Sequence, residues 1–244
     1  MNFADRLSLL GTETAFEVLV KARALEAEGR DIVHLEIGEP DFDTPRHIIE
    51  AGQKALDEGF THYGPSAGLP EVRQAIAEDV GTLRGTSVNP DQVVVTPGGK
   101  PIMFFTILAL AQEGDEVIYP NPGFPIYESV IKFSGAKPVP IPLQEERDFG
   151  LDVNQLEDLV TNRTKLIIIN SPQNPTGGVL AKEDLKAIAE IAVKHQVPVM
   201  ADEIYSRIIY EDFNSISVYK GMEDLTIILD GFSKTYAMTG WRMG

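Results

Sequence analysis

The apolar run Thr226–Leu229 ends in Asp230-Gly231-Phe232-Ser233-Lys234, and Arg242 follows eight residues after the lysine. A lysine whose amine loses its proton near neutral pH forms Schiff bases with carbonyl compounds. A guanidinium suits a phosphate. A second apolar run, Val197–Ala201, delivers Asp202, with Tyr205 three residues on. A carboxylate at the end of a buried strand is unfavourable unless something pairs with it. A third, Gln92–Thr96, leads through Pro97-Gly98-Gly99-Lys100 into an apolar stretch from Ile102 to Ala111. Strand, glycines, helix is an anion-binding layout, because the free amides at a helix start point at negative charge. Taken singly, each feature has a plain alternative: a solvated lysine, a turn at Gly-Gly, a half-buried tyrosine.

The elements that must carry these residues alternate. Residues 15–28, 45–58 and 69–83 read as helices with apolar residues at helical spacing, Gly29 and Gly59 closing the first two. Ile32–Ile37 reads as a short alternating strand. From Gln92 onward strands and helices take turns. Strands are expected at 92–96, 116–119, 137–142, 165–170, 197–201 and 226–229, the proline-interrupted one near a sheet edge. Helices are expected over 102–111, from Asn121-Pro122-Gly123-Phe124 onward, and over 153–160 and 182–194. Within the run Lys165–Asn170 the residues Leu166–Ile169 are continuously apolar, as a strand buried on both faces requires. The chemistry-bearing residues, Asn174 in Asn-Pro-Thr-Gly among them, then fall along one rim of a mostly parallel sheet, where ligands bind in such folds. A nucleotide-binding rival lacks both G-x-G-x-x-G after a strand and G-x-x-x-x-G-K-[ST].

The pattern S-K-x5-G-x-R-x-G at Ser233–Gly244, with the ordered series Gly-Gly-Lys, Phe124, Asn-Pro-Thr-Gly and Asp-x-x-Tyr before it, closely resembles class I/II aminotransferases of fold type I. The resemblance runs from about Ile37 to Gly244. It implies an α/β fold, the sheet-and-helix large domain of pyridoxal-phosphate-dependent transferases. Residues 1–45 would contribute to an incomplete small domain, and 46–244 would form a cofactor-binding large domain cut short at its end. Lys234 would form the Schiff base with pyridoxal 5'-phosphate and then move the Cα proton of an amino acid. Asp202 would keep the pyridine nitrogen protonated, a pyridinium being the partner its burial calls for. Tyr205 and Asn174 would bond the phenolic oxygen, and Phe124 would stack on the ring. Gly99, Lys100, Ser233 and Arg242 would hold the phosphate, joined by Tyr63 from a neighbouring subunit. Gly38, Asn174 and Lys100 would face substrate, Lys100 favouring dicarboxylic amino acids.

The implied activity is transfer of an amino group between an L-amino acid and a 2-oxo acid in amino-acid metabolism, by a homodimer. A pyridoxal-phosphate lyase acting on β- or γ-substituted amino acids, or a cofactor-binding protein without turnover, stays open. The arginine that clamps the substrate carboxylate in that family lies beyond Gly244, and so does the strand expected after Arg242. A vacant sheet position and an impaired enzyme are therefore expected. The Asn121–Pro122 and Asn174–Pro175 bonds are expected to be cis. A net charge of -16 on 244 residues argues against nucleic acid and anionic membranes as partners. Cysteine is absent, so there is no disulfide or thiolate site, and four scattered histidines suggest no metal. The N-terminal residues lack the pattern of a secretory leader and no apolar run reaches membrane-spanning length, which makes a cytoplasmic protein the expectation.

Overall fold

The computed structural model describes residues 2–11 and 14–244. Its centre is one sheet of β1 (Glu116–Asn121), β2 (Lys137–Gln144), β3 (Gly150–Leu151), β4 (Thr164–Asn170), β5 (Val199–Asp202) and β6 (Thr226–Leu229). The spatial order is β3-β2-β1-β4-β5-β6. All pairings are parallel except the two-residue β3, which runs antiparallel to β2. The prolines of β2 therefore sit next to the sheet edge, where a missing ladder donor is tolerated.

Among the described residues seven helices accompany the sheet. They are α1 (Thr14–Ala27), α2 (Arg46–Asp57), α3 (Pro70–Arg84), α4 (Gly99–Leu110), α5 (Ile126–Phe133), α6 (Val153–Leu159) and α7 (Lys182–His195). Of these, α4 to α7 cover its two faces. Because side chains alternate along a strand, β4 supplies both layers of core. Ile167 and Ile169 pack with α6 and α7 through Leu156, Leu185 and Ile188. Leu166 and Ile168 pack with α4 and α5 through Met103, Ile107, Val130 and Ile131. The central strands β1, β4 and β5 contribute buried side chains to both layers.

Two expected strands are not strands. Ile32–Ile37 is irregular chain ending in a bend at Glu36 and Ile37 and joins no sheet among the described residues, and Val33 and Leu35 are 80% and 88% exposed. Alternation alone cannot make a strand where no edge is within reach. Gln92–Thr96 opens with a turn at Pro90–Gln92 and then runs extended, outside the sheet. Val95 N–H donates to Ala67 O at 2.9 Å, and Thr96 exchanges backbone bonds with Gly244 in both directions, 2.7 and 2.9 Å. Between this segment and β6 lies a slot of about 780 Å³, lined by Val93, Val94, Ile227 and Ile228 and floored by Val72 and Ile76 of α3. It leaves Val72, Ile76 and Val80 only half-buried, while Ala77, Gly81 and Arg84 take the buried face of α3.

Candidate active site

The rim of the sheet at the C-terminal ends of its strands gathers most of the residues singled out above. β5 ends in Asp202, whose carboxyl is buried at 3% exposure. Tyr127, fully buried on α5, donates its hydroxyl to Asp202 Oδ2 at 2.5 Å, and the Ile204 amide donates to Oδ1 at 3.3 Å. Burial pushes the Asp202 carboxyl up to about 6 despite these two donors, and the acids Asp230 and Glu203 push the same way. Among the described residues no Lys or Arg pairs with it. After Asp202 the chain turns back through bonds from Ser206 to Glu203 and from Ile208 to Tyr205, which sets Tyr205 over the rim. Tyr205, half-buried, is also shifted up by desolvation and by the nearby Asp202 charge.

β6 leads into Ser233 and Lys234. A compact turn, with Met238 N–H on Ser233 O and Ala237 N–H on Lys234 O, fixes the lysine's backbone. Its Nζ lies 5.9 Å from the centre of the Tyr205 ring and donates to Gly38 O at 2.6 Å. Desolvation lowers its proton affinity and nearby Glu39 partly opposes that. A lysine drawn down from its solution value is one step nearer the neutral amine that attacks carbonyls. The loop bearing Gly38 is held over this turn by Thr44, whose hydroxyl donates to Ala237 O at 2.6 Å and accepts from Trp241 Nε1 at 3.1 Å. A contact between Thr239 and Glu39 adds to it.

At the other end of the lysine turn, Arg242 stands in the left-handed region at φ 56° and donates from Nη1 to Thr239 O at 2.7 Å. Its Nη2 lies where a Cβ on Gly98 would meet it at 2.2 Å, so only glycine lets the guanidinium approach that backbone. Gly98 is at φ 93° and immediately precedes α4, whose first amides have no side-chain cap. Uncapped helix amides beside a guanidinium form an anion cradle. Lys100 opens α4 as expected, and its ammonium lies 5.3 Å from the centre of the Phe16 ring.

Phe124 and Asn174 come from the neighbouring strand ends. Phe124 follows β1 and meets Tyr127 edge-to-face at 6.0 Å. Asn174 follows β4, its amide bonded to Asn170 Oδ1 at 2.8 Å, and Asn170 Nδ2 in turn donates to Asp202 O at 2.9 Å. Gln173 Nε2 ties this loop to Pro122 O at 2.8 Å. The Asn121–Pro122 and Asn174–Pro175 bonds are cis as expected, and Ser171–Pro172 is cis as well. Tyr63 is fully exposed and meets none of these residues within the chain.

Three contributors escaped the sequence reading: Tyr127, Asn170 and the pair Arg84–Glu203. Tyr127 stands three residues after Phe124 and reads as core; that its hydroxyl reaches a carboxylate 75 residues away is set by the strand order alone. Asn170, a polar residue closing an otherwise apolar strand, was the available signal for the second.

Pyridoxal phosphate makes three demands: a carboxylate away from water for its ring nitrogen, a cradle for its phosphate and an amine for its aldehyde. The residues here fit all three. Asp202 is dry and without a cation, Gly98 leaves room that Arg242 fills, and Lys234 has lowered proton affinity. Sheet and rim together define an α/β protein whose strand ends present the groups that a phosphorylated, ring-nitrogen-bearing cofactor needs.

Residues 30–244 match the model of the family "Aminotransferase class I and II". The chain belongs to that family, which is pyridoxal-phosphate dependent. It is 44% identical to an aspartate aminotransferase of Pyrococcus abyssi over all of its own length and 62% of the relative's. It is 40% identical to aromatic-amino-acid aminotransferase 2 of Thermococcus litoralis, again covering 62% of it. An aspartate aminotransferase structure from Thermus thermophilus with maleate superposes with a TM-score of 0.96 at 39% identity, over 100% of this chain and 64% of that one. The chain thus spans a little over three-fifths of the length of these relatives. Among the described residues no helix is long and apolar enough to cross a membrane, and no group of His, Cys, Asp and Glu is placed to hold a metal.

Proposed function

We propose that this chain binds pyridoxal phosphate and carries the proton-transfer machinery of an aminotransferase working between an L-amino acid and a 2-oxo acid. The observation that carries the reading is the pairing of β5 with β6, Asp202 opposite Leu229, which brings a dry carboxylate and a desolvated lysine to one rim. The cofactor, when bound, supplies an electron sink for the pair left on a substrate Cα. The chain's residues do the rest. Lys234 takes and returns the Cα proton. Asp202 holds positive charge at the ring nitrogen by ion pairing. Tyr205 and Asn174 hydrogen-bond the phenolic oxygen, and Phe124 limits the tilt of the ring. Gly99, Lys100, Ser233 and Arg242 hold the phosphate.

Within this reading the substrates include dicarboxylic amino acids, with Lys100 and Gly38 on the substrate side. Support comes from relatives named aspartate aminotransferase, one of them with maleate. The working unit is a homodimer in which Tyr63, exposed on its own chain, serves the partner's phosphate. Residues 1–45 belong to a small domain and 46–244 to the large one, in the cytoplasm.

Borohydride reduction of the chain mixed with pyridoxal phosphate, followed by peptide mapping, tests the core of this. The label is expected on Lys234. A label on another lysine, or on none, overturns it.

A further inference from the structure

Arg84 is the last residue of α3, a place where an arginine ordinarily points to solvent. Here its side chain is fully buried. Nε donates to Glu203 Oε2 at 2.6 Å and Nη2 donates to Asp230 Oδ2 at 2.8 Å. Glu203 follows Asp202 at the end of β5, and Asp230 follows Leu229 at the end of β6. Ser215 donates its hydroxyl to Glu203 Oε1 at 2.7 Å, and the ring of Phe213 lies 5.6 Å from the guanidinium carbon. Nη1 is buried without a partner. One cation is therefore shared by two carboxylates, one dry and one a quarter exposed, beside a third carboxylate, Asp202.

The ionisable groups facing Asp202 are Tyr127 from α5, Tyr205 and Glu203 from the segment after β5, and Asp230 from the segment after β6. Arg84 stands behind the two acids from α3. Tyr127 and the Ile204 amide favour the ionised carboxyl; Glu203 and Asp230 oppose it. Electrostatic effects reach further inside a protein than in water because the surroundings screen poorly. Removing the guanidinium would expose Asp202 to two uncompensated charges, and removing Asp230 would leave Arg84 and Glu203 as a balanced pair.

We propose that Arg84, Glu203 and Asp230 form a counter-charge device that sets how readily Asp202 holds a proton and how strongly it favours a cation beside it. Arg84 is thus a positioning residue that acts through Asp202. The proposal deepens, and rests on, the reading of Asp202 as the partner of the cofactor's ring nitrogen.

The test is a carbon-13 NMR titration of the Asp202 carboxyl in the full chain without cofactor, the resonance identified by its loss in Asp202→Asn. In Asp230→Asn the midpoint should fall by about half a pH unit, the scale of one like charge beyond direct contact. In Arg84→Gln it should rise by at least that much, and Arg84→Lys, which keeps the charge, should stay near wild type. Should Arg84→Gln fail to fold, Asp230→Asn decides alone, since the Asp230 side chain is a quarter exposed and tolerates an isostere. A midpoint unmoved in Asp230→Asn overturns the proposal. Pyridoxal phosphate affinity of the wild-type chain is measured separately by fluorescence. If the chain binds none while Asp230→Asn still moves Asp202, the device stands and the cofactor reading falls.

Discussion

A carboxylate in a dry pocket is tolerated only where something positive comes to meet it. Asp202 has a phenol and an amide but, among the described residues, no cation, and burial shifts it up to about 6. Its ordinary value is near 3.9, so between about pH 4 and pH 6 the folded chain holds a proton that the unfolded chain has released. Stability without cofactor should therefore decline as pH rises through that window and stay lowered above it. Asp202→Asn removes the ionisable group and keeps an acceptor for Tyr127. We expect the cofactor-free variant to be more stable than wild type at pH 8, by ~2 kcal/mol, with the two converging near pH 4; urea unfolding at both pH values measures this. The same variant should bind pyridoxal phosphate more weakly, the usual opposition between stability and a charged site. Tyr127→Phe leaves the core volume filled and removes one donor to a charged acceptor. It should cost ~1–3 kcal/mol at pH 8 and much less at pH 4, where Asp202 is protonated.

Elements differ in how far the sequence foretells them, and the difference follows from what holds each one. β4 is legible because four apolar residues in a row, Leu166–Ile169, have only one comfortable environment. α7 is legible from Leu185, Ile188 and Ile191 at helical spacing, all buried in the structure. Ile32–Ile37 has the right alternation and no partner, and pairing partners are a property of the whole chain. Lys234, Asp202 and Gly98 could be named because ends of apolar runs are visible in sequence. Tyr127 and Arg84 could not, since their roles depend on bonds spanning 75 and 119 residues. The start of α4 carries its own test. Gly98→Ala puts a methyl where Arg242 Nη2 stands and strains a residue at φ 93°, which should cost ~1–2 kcal/mol of stability. Displacing the guanidinium should weaken pyridoxal phosphate at least tenfold, a loss of ~1.4 kcal/mol, yet leave binding of unphosphorylated pyridoxal nearly unchanged. Equal losses for both ligands would place the damage outside the phosphate cradle.

On the scale of the molecule the two flanks of the sheet differ. β3 closes the β2 side with a two-residue strand, a short edge of the kind that discourages further pairing. β6 faces the slot instead, with Val93 and Val94 across from it. Thr96 and Gly244 bond reciprocally at its mouth, and Phe232 N–H reaches Met243 O at 3.3 Å. The consequence lies in time rather than in space. Leu225 and Leu229 accept bonds from Val199 and Glu203 of the β5 side, so alternation turns Ile227 toward β5 and Ile228 toward the slot. Neighbouring amides in one strand should therefore keep different clocks. In deuterated buffer, Ile228 should exchange about tenfold or more faster than Ile227 and Leu229, which wait for β5 and β6 to part. An extended peptide that seats in the slot would bring the three clocks together, and amide NMR would record its arrival as the slowing of Ile228.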